Sequence, residues 1–403
     1  MELATTSKAA FTEALDLLAR KTLEDETRLG AAFPYVTRPD GSWDTMFASR
    51  SAGYDGDAWS HGNWFCGFWV GLLLISHLHS GNGLALDIAR ERMRMVAPRS
   101  TDPNTHDIGF IFLSSAMPFH HVTGDAAYRD VGLTAARQLR ARLVRTERGG
   151  YVSSWGPHDD IRGRRSSAID TMANLPLLYW AAEQTRDDSF IVAGELHARS
   201  TERAFIRPDL STYHAVEYEL PSGERSRGYT FQGYGDESFW SRGQGWAILG
   251  FAETARATGS TRYLELAHRL ADRFLDALGD ATAAPWDFDD PAGREATLDT
   301  SASAIVANAL LQVADLEPDR SLAERRRAQA VKILEDLCRE HLSREGAERG
   351  LLRHGCYSKP HDIGPDAAVL FGDYYFAEAL LMALKPGAFR ATPRRLAAGS
   401  ARS

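Results

Sequence analysis

Cysteine is scarce: three residues in 403, at Cys66, Cys338 and Cys356. Their number is odd and no two share a C-x-x-C spacing, which excludes a disulfide framework or zinc knuckle and points to a reducing compartment, the cytoplasm. No secretory leader is expected, because residues 8–20 pattern as an amphipathic helix with Phe11, Leu15 and Leu18 on one face. Long apolar runs are missing as well. The longest, Trp64 to Ile75, falls short of the ~20 residues a membrane span needs. Excess positive charge is absent too. A formal net charge of −8 argues against a general nucleic-acid binder, whose affinity comes from Lys and Arg neutralising phosphates. The 13 histidines include no H-E-x-x-H and no paired spacing with a third partner, so no metal is expected. A G-x-S-x-G elbow and a glycine-rich phosphate loop are also lacking.

What is present is a composition of 44% hydrophobic and 25% charged residues, ample for a large core. By a rule of ~150 residues per domain the length suggests two or three domains. The patterning argues otherwise. Strand signals are few, and six long segments are apolar all round, as helices buried on every side should be. They begin near Gly67 (GFWVGLLLISHL), Ile108 (IGFIFLSSAMPFHHV), Thr171 (TMANLPLLYWAAEQT), Gly245 (GWAILGFAETARAT), Ser301 (SASAIVANALLQVADL) and Tyr374 (YYFAEALLMAL). Between them lie charged amphipathic helices, and three connectors (TGDAAY, TRDDSF, TGSTRY) are variants of one turn. Such hairpins cannot bury their apolar faces alone and must stack. The expectation is one all-α domain over residues 1–384, an (α/α)6 barrel of inner and outer helices, with a mobile Pro-, Ala- and Arg-rich tail over 385–403. An open helical solenoid is the alternative.

The N-terminal ends of the six segments carry the densest reactive side chains: Asn63-Trp64, His106-Asp107, Asp170, Arg242-Gly243-Gln244, Asp299 and Gly372-Asp373. In a ring they converge on one mouth. Asp299 and Asp373 are read as caps or packing groups. Asp107 and Asp170 head neighbouring helices and are followed by apolar residues, so both should be partly desolvated. Two such carboxyls drive their pKa values apart, the requirement for general acid chemistry on a sugar, although capping is open to each. Trp59, Trp64, Trp69, Trp155, Trp240 and Trp246 are placed near the same mouth, where indole faces stack on sugar rings; Trp69 also suits a core position. His214, Gln232 and Arg242 add polar groups.

At these residues the chain resembles the unsaturated glucuronyl hydrolases of glycoside hydrolase family 88. The likeness runs from about Trp64 to Leu384 through NWFCGFWVG (63–71), HDIGF (106–110), IDTMANLPLLYWA (169–181), RGYTFQGYGDESFWSRGQGWAILGF (227–251), PWDFDDP (285–291), DTSASAI (299–305), GCYSKP (355–360) and FGDYYFAEAL (371–380). The resemblance implies an (α/α)6 barrel that removes a 4,5-unsaturated uronic acid from the non-reducing end of lyase-generated oligosaccharides, by hydrating its vinyl-ether double bond, with no metal or organic cofactor. It implies Asp170 as acid and base and Asp107 as the second essential carboxylate. The substrate-binding set it implies is Trp64, His106, His214, Gly228, Thr230, Gln232, Arg242, Trp246 and Tyr357. Trp64 would stack on the unsaturated ring and Arg242 would pair with its carboxylate. Tyr357, with Ser358 or Lys359, would close the mouth. A basic run, Arg162, Arg164 and Arg165, is read as a solvated face or as a platform for a sulfate. A related unsaturated rhamnogalacturonyl hydrolase, a sugar epimerase and a non-catalytic glycan-binding barrel are the alternatives. Monomer and homodimer are both compatible with the sequence.

Overall fold

A computed structural model describes residues 3–49, 62–157 and 160–390. Helices dominate it: α1 (Thr5–Leu29), α2 (Cys66–Ser80), α3 (Gly83–Val96), α4 (Ile108–Leu113), α5 (Ala116–Thr123), α6 (Ala126–Ala141), α7 (Ile161–Arg164), α8 (Thr171–Asn174), α9 (Pro176–Thr185), α10 (Ser189–Ala204), α11 (Ser241–Thr258), α12 (Thr261–Leu278), α13 (Thr300–Leu316), α14 (Arg320–Asp336) and α15 (Leu370–Leu384). The six expected apolar segments are α2, α4 with α5, α8 with α9, α11, α13 and α15. Almost every residue of α13 and the first twelve of α15 are buried. The helices between them each keep a wet face.

The three connectors work by one piece of chemistry. Gly124 and Gly259 take left-handed conformations (φ 72° and 71°) that end α5 and α11. A polar residue then opens the next helix, as when Asp125 accepts the Ala127 N–H at 2.8 Å. In TRDDSF the left-handed position falls to Arg186 (φ 57°) instead of glycine.

Packing of the apolar helices runs in a cycle: α2 on α4, α4 on α8, α8 on α11, α11 on α13, α13 on α15, and α15 back on α2. The amphipathic helices lie against this cycle, α3 on α2, α6 on α5, α10 on α9, α12 on α11, α14 on α13, and α1 on both α2 and α15. Two members of the cycle are bent. Between α4 and α5 the Ser114 hydroxyl donates to the Phe110 carbonyl at 2.7 Å, a local bond that competes with the helix ladder. Between α8 and α9 the break falls at Pro176, which has no N–H to donate.

Among the described residues seven short strands, more than expected, are paired antiparallel. They are β1 (Ala32–Thr37) with β2 (Trp43–Phe47), β3 (Leu143–Thr146) with β4 (Gly149–Val152), and β5 (Ser166–Ala168), β6 (Ala215–Tyr218) and β7 (Arg225–Tyr229) in that order. The expected tail boundary also shifts. Within residues 385–390, Phe389 is buried and Arg390 is ion-paired to Glu253 and Glu378. The rest of the tail lies outside the described residues, as does Trp59. Among the described residues no helix is long and apolar enough to cross a membrane.

Candidate active site

The starts of α2, α4, α8, α11 and α15 surround a cavity of about 80 Å³. Its walls are Trp64, Trp155, Phe231, Gln232, Trp246, Tyr357 and Phe371, with His106, Asp107, Asp170 and Arg242 as its ionisable groups. Of the residues named from sequence, Trp64, His106, Asp107, Trp155, Asp170, Gln232, Arg242, Trp246 and Tyr357 therefore meet in one place. Phe231 and Phe371 complete the wall.

Both carboxylates sit at N-cap positions, yet neither caps its helix. Asp299 does, accepting the Ser301 N–H at 3.1 Å. Asp373 accepts the Leu351 and Leu352 N–H groups at 2.8 and 2.9 Å. The difference separates the four aspartates: Asp299 and Asp373 are consumed by backbone, whereas Asp107 and Asp170 turn toward each other across His106. The His106 Nε2 lies 3.1 Å from Asp170 Oδ1 and 3.3 Å from Asp107 Oδ1. Its Nδ1 lies 2.8 Å from the Ser154 carbonyl oxygen. The Ser154 carbonyl can only accept, so Nδ1 carries a proton, and Nε2 faces two carboxyl oxygens. Burial alone would push its pKa down. The charges of Asp107 and then Asp170, with the hydrogen bond to Asp170, outweigh burial and push it up to about 9.

Asp107 is further held by the Thr105 hydroxyl at 3.0 Å and its side chain is only 6% exposed. Asp170 is 22% exposed, and among the described residues nothing donates to its Oδ2. The sequence spacing of the histidines had suggested no cluster of metal-ligating groups. In the structure one ligand atom each from His106, Asp107 and Asp170 lies within 4.8 Å of the others. The three side chains are joined through His106 Nε2 as a hydrogen-bonded triad.

The aromatic floor is layered. Trp64 stacks on Phe371 (centroids 5.4 Å apart, 19° between planes). Trp246 is buried against Phe110 and Tyr375. Trp155 stands edge-on to His106 at 6.2 Å and to Phe231 at 5.5 Å. Trp69 lies in the core instead, its indole N–H bonded to Glu26.

Arg242 is 2% exposed and its fork is already engaged. It bonds Asp299 and the Cys356 carbonyl through Nη1, and the Tyr357 carbonyl and, at 3.5 Å, Gln232 Oε1 through Nη2. A bidentate grip on a substrate carboxylate would require these bonds to be exchanged. His106 is likewise not free to hydrogen-bond a substrate, since both nitrogens are taken.

His214, Gly228 and Thr230 stand behind the wall. The His214 ring packs on Trp240 (4.1 Å, 30°) and Phe231 (3.9 Å), with Nδ1 3.0 Å from the Thr230 hydroxyl. Burial and then Arg242 hold its pKa well below the usual value. Thr230 also accepts the Gly233 N–H at 2.8 Å. At Gly228 a Cβ would lie 2.2 Å from the Tyr213 ring. All three shape the loop that carries Phe231 and Gln232. Lys359 is turned away to Asp290 at 3.1 Å, and Ser358 to His361. Arg164 and Arg165 do not line the cavity, and the Arg162 side chain lies outside the described residues.

A larger cavity, about 380 Å³, opens at the other ends of the apolar helices. Its carboxylates are bound to arginines: Glu253 and Glu183 to Arg256, Asp315 to Arg327. None is placed as Asp170 is, beside a buried histidine and a second carboxylate.

No family model matches the sequence. The chain is 34% identical over 380 residues to an unsaturated glucuronyl hydrolase of Bacillus sp. (strain GL1), covering 92% of this chain and 95% of that relative. To an unsaturated chondroitin disaccharide hydrolase of Streptococcus pyogenes serotype M1 it is 28% identical over 385 residues, 93% of this chain and 91% of the relative. The crystal structure of an unsaturated glucuronyl hydrolase from Bacillus sp. GL1 matches with a TM-score of 0.82 at 31% identity, over 95% of this chain and 98% of that one. A heparin-specific unsaturated glucuronyl hydrolase matches at 0.82 and 26% identity, over 96% and 99%. With similarity running through nearly the whole of both chains, this chain belongs to the unsaturated glucuronyl hydrolase family.

Proposed function

We propose that Asp170 is the acid and base of a hydratase-type glycoside hydrolase that works at the mouth of an (α/α)6 barrel. The reading rests on one observation above all: both triad carboxylates line the aromatic-walled cavity, but Asp170 is the more exposed (22% against 6%) and its Oδ2 takes no hydrogen bond from the described residues. The substrate is an oligosaccharide ending in a 4,5-unsaturated uronic acid. Asp170 delivers a proton from Oδ2 to C4 of the vinyl ether, which places positive charge at C5 and on the ring oxygen. Water then attacks C5 and gives a proton back to the Asp170 carboxylate. The hemiketal so formed collapses and releases the remaining sugar. Asp107 keeps its charge throughout. Trp64 and Trp155 offer faces to the ring, and Gln232 and Arg242 meet its polar edge, Arg242 by exchanging a carbonyl bond for the substrate carboxylate.

The cycle of apolar helices, each with an amphipathic partner, supports the barrel, closed without capping repeats. Unsaturated glycosaminoglycan disaccharides are the proposed substrate class, by analogy with the chondroitin and heparin enzymes among the similar proteins. The proposed enzyme needs no cofactor, resides in the cytoplasm, and is a monomer or homodimer.

Ultraviolet absorbance of the unsaturated uronide gives the test. This activity makes it decay; a lyase makes it grow, and an epimerase or a binding protein leaves it unchanged. Asp170→Asn should lower kcat by at least ~100-fold, the scale of general acid–base catalysis. A variant that keeps most of the wild-type rate would overturn the assignment. A panel of unsaturated disaccharides differing only in sulfate position would then define the preferred substrate.

A further inference from the structure

We propose that His106 is a positioning residue that works through Asp170: its charge cancels that of Asp107, and its Nε2–H follows the charge that appears on Asp170 as the proton leaves. This rests on the reading of Asp170 as the acid. His106 is 1% exposed and locked at Nδ1 to the Ser154 carbonyl. Its second N–H is shared unequally, 3.1 Å to Asp170 and 3.3 Å to Asp107.

The sharing has a chemical consequence. With Asp107 ionised, His106 as imidazolium and Asp170 protonated at Oδ2, the triad carries no net charge. When the Oδ2–H bond breaks and the C4–H bond forms, only Asp170 changes charge, from neutral to −1. Its Oδ1 then becomes the stronger acceptor and the shared N–H shifts toward it. When water adds to C5, its proton returns to Asp170 and the N–H relaxes back. A bond that strengthens only as the reaction proceeds is the kind that raises kcat. Thr105 keeps Asp107 from competing, since its hydroxyl occupies the other Asp107 oxygen.

The remaining groups around the ring leave this balance in place. His197 from α10 is held neutral, burial and then His106 pushing its pKa down to about 3. Arg142 is buried on the Ser153, Pro103 and Gly156 carbonyls, where its charge is felt by Asp102 and then Asp107. Across the cavity Arg242 is matched by Asp299.

The test uses the full chain with an unsaturated disaccharide. His106→Gln keeps an N–H donor without the positive charge. Asp107 then stands uncompensated beside Asp170, and like charge raises a carboxyl pKa. The alkaline limb of kcat/KM should move up by about one pH unit or more, and kcat at the optimum should fall at least ~10-fold with KM nearly constant. Adding Asp107→Asn should bring the limb back toward the wild-type position. An unmoved limb with unchanged kcat would make His106 plain scaffolding and sink the proposal. If His106→Gln does not fold, ¹⁵N NMR of the wild-type imidazole decides: an imidazolium at pH 7.5 supports the proposal and a neutral ring overturns it. That spectrum needs no substrate, so it separates failure here from failure of the functional reading, which shows as a wild-type protein that leaves the ultraviolet absorbance intact.

Discussion

The buried pair of Arg242 and Asp299 joins chemistry and stability at single residues. Asp299 is 0% and Arg242 2% exposed, and the two are linked between the starts of α11 and α13. Asp299 also caps α13 and accepts the Cys356 N–H at 3.2 Å. Removing one charge of such a pair leaves the other buried and uncompensated, which costs about 3–5 kcal/mol. Asp299→Asn should therefore lower the stability of the chain by that amount in urea titration. It should also raise KM, because the Arg242 fork holds the Tyr357 carbonyl at the cavity wall. A loss below about 1 kcal/mol would show that the guanidinium finds other partners. The sequence placed Arg242 and Asp299 at neighbouring helix starts, yet no spacing reveals that they face each other 57 residues apart. The same holds for the triad. Asp107 and Asp170 were readable as unusual helix-start carboxylates, but that an imidazolium lies between them depends on Ser154, brought to His106 by the β3–β4 hairpin.

At the level of elements, the apolar helices were readable because burial on all sides leaves no polar face in the sequence. Their high glycine content has a reason in packing. At Gly67 of α2 a Cβ would lie 2.0 Å from the Ile111 carbonyl oxygen of α4, and at Gly250 of α11 it would lie 2.4 Å from the Met172 Cβ of α8. Backbones cross at these points, so the residue is chosen for size. Gly67→Ala must push α2 away from α4, the helix that Asp107 heads. Overpacking of this kind costs about 1–3 kcal/mol. The obstacle is backbone, so the upper end is expected in thermal or urea unfolding, together with a fall in kcat. Gly83→Ala, where a Cβ meets nothing within 4 Å, should change neither and serves as the control. The elements that escaped sequence reading are those with weak local signals. The strands are three to six residues long and are ordered by the loops they carry. The bends at Ser114 and Pro176 interrupt an apolar pattern that by itself reads as continuous.

On the scale of the whole molecule, the active end and the opposite end are built from the same helices but do different work. The active end keeps an ionised triad at a cavity, whereas the opposite end buries its charges in pairs. There Glu253 of α11 and Glu378 of α15, with side chains 4% and 1% exposed, meet the guanidinium of Arg390, which also bonds the Tyr374 hydroxyl at 3.2 Å. Burial raises the Glu378 pKa, partly offset by Arg390 and by the bond from Asn308. The chain segment after α15 was expected to be loose because it lacks periodicity. A single arginine among buried carboxylates leaves no periodic signature, which is why residues 385–390 read as tail. Arg390→Ala would leave Glu253 to Arg256 alone and strand Glu378 between α11 and α15, two helices that also contribute Arg242, Trp246 and Phe371 to the active end. The expected loss is about 3–5 kcal/mol. In an otherwise identical Glu378→Gln background the stranded charge is gone, so the same Arg390→Ala change should cost clearly less, and the difference measures the coupling. Turnover per folded molecule, read by the absorbance decay well below the melting temperature, should stay near wild type because the cavity lies at the other helix ends. Equal losses in both backgrounds would show that Arg390 acts through packing alone. A collapse of turnover without a loss of stability would mean that the two ends are coupled through α11 and α15 rather than independent.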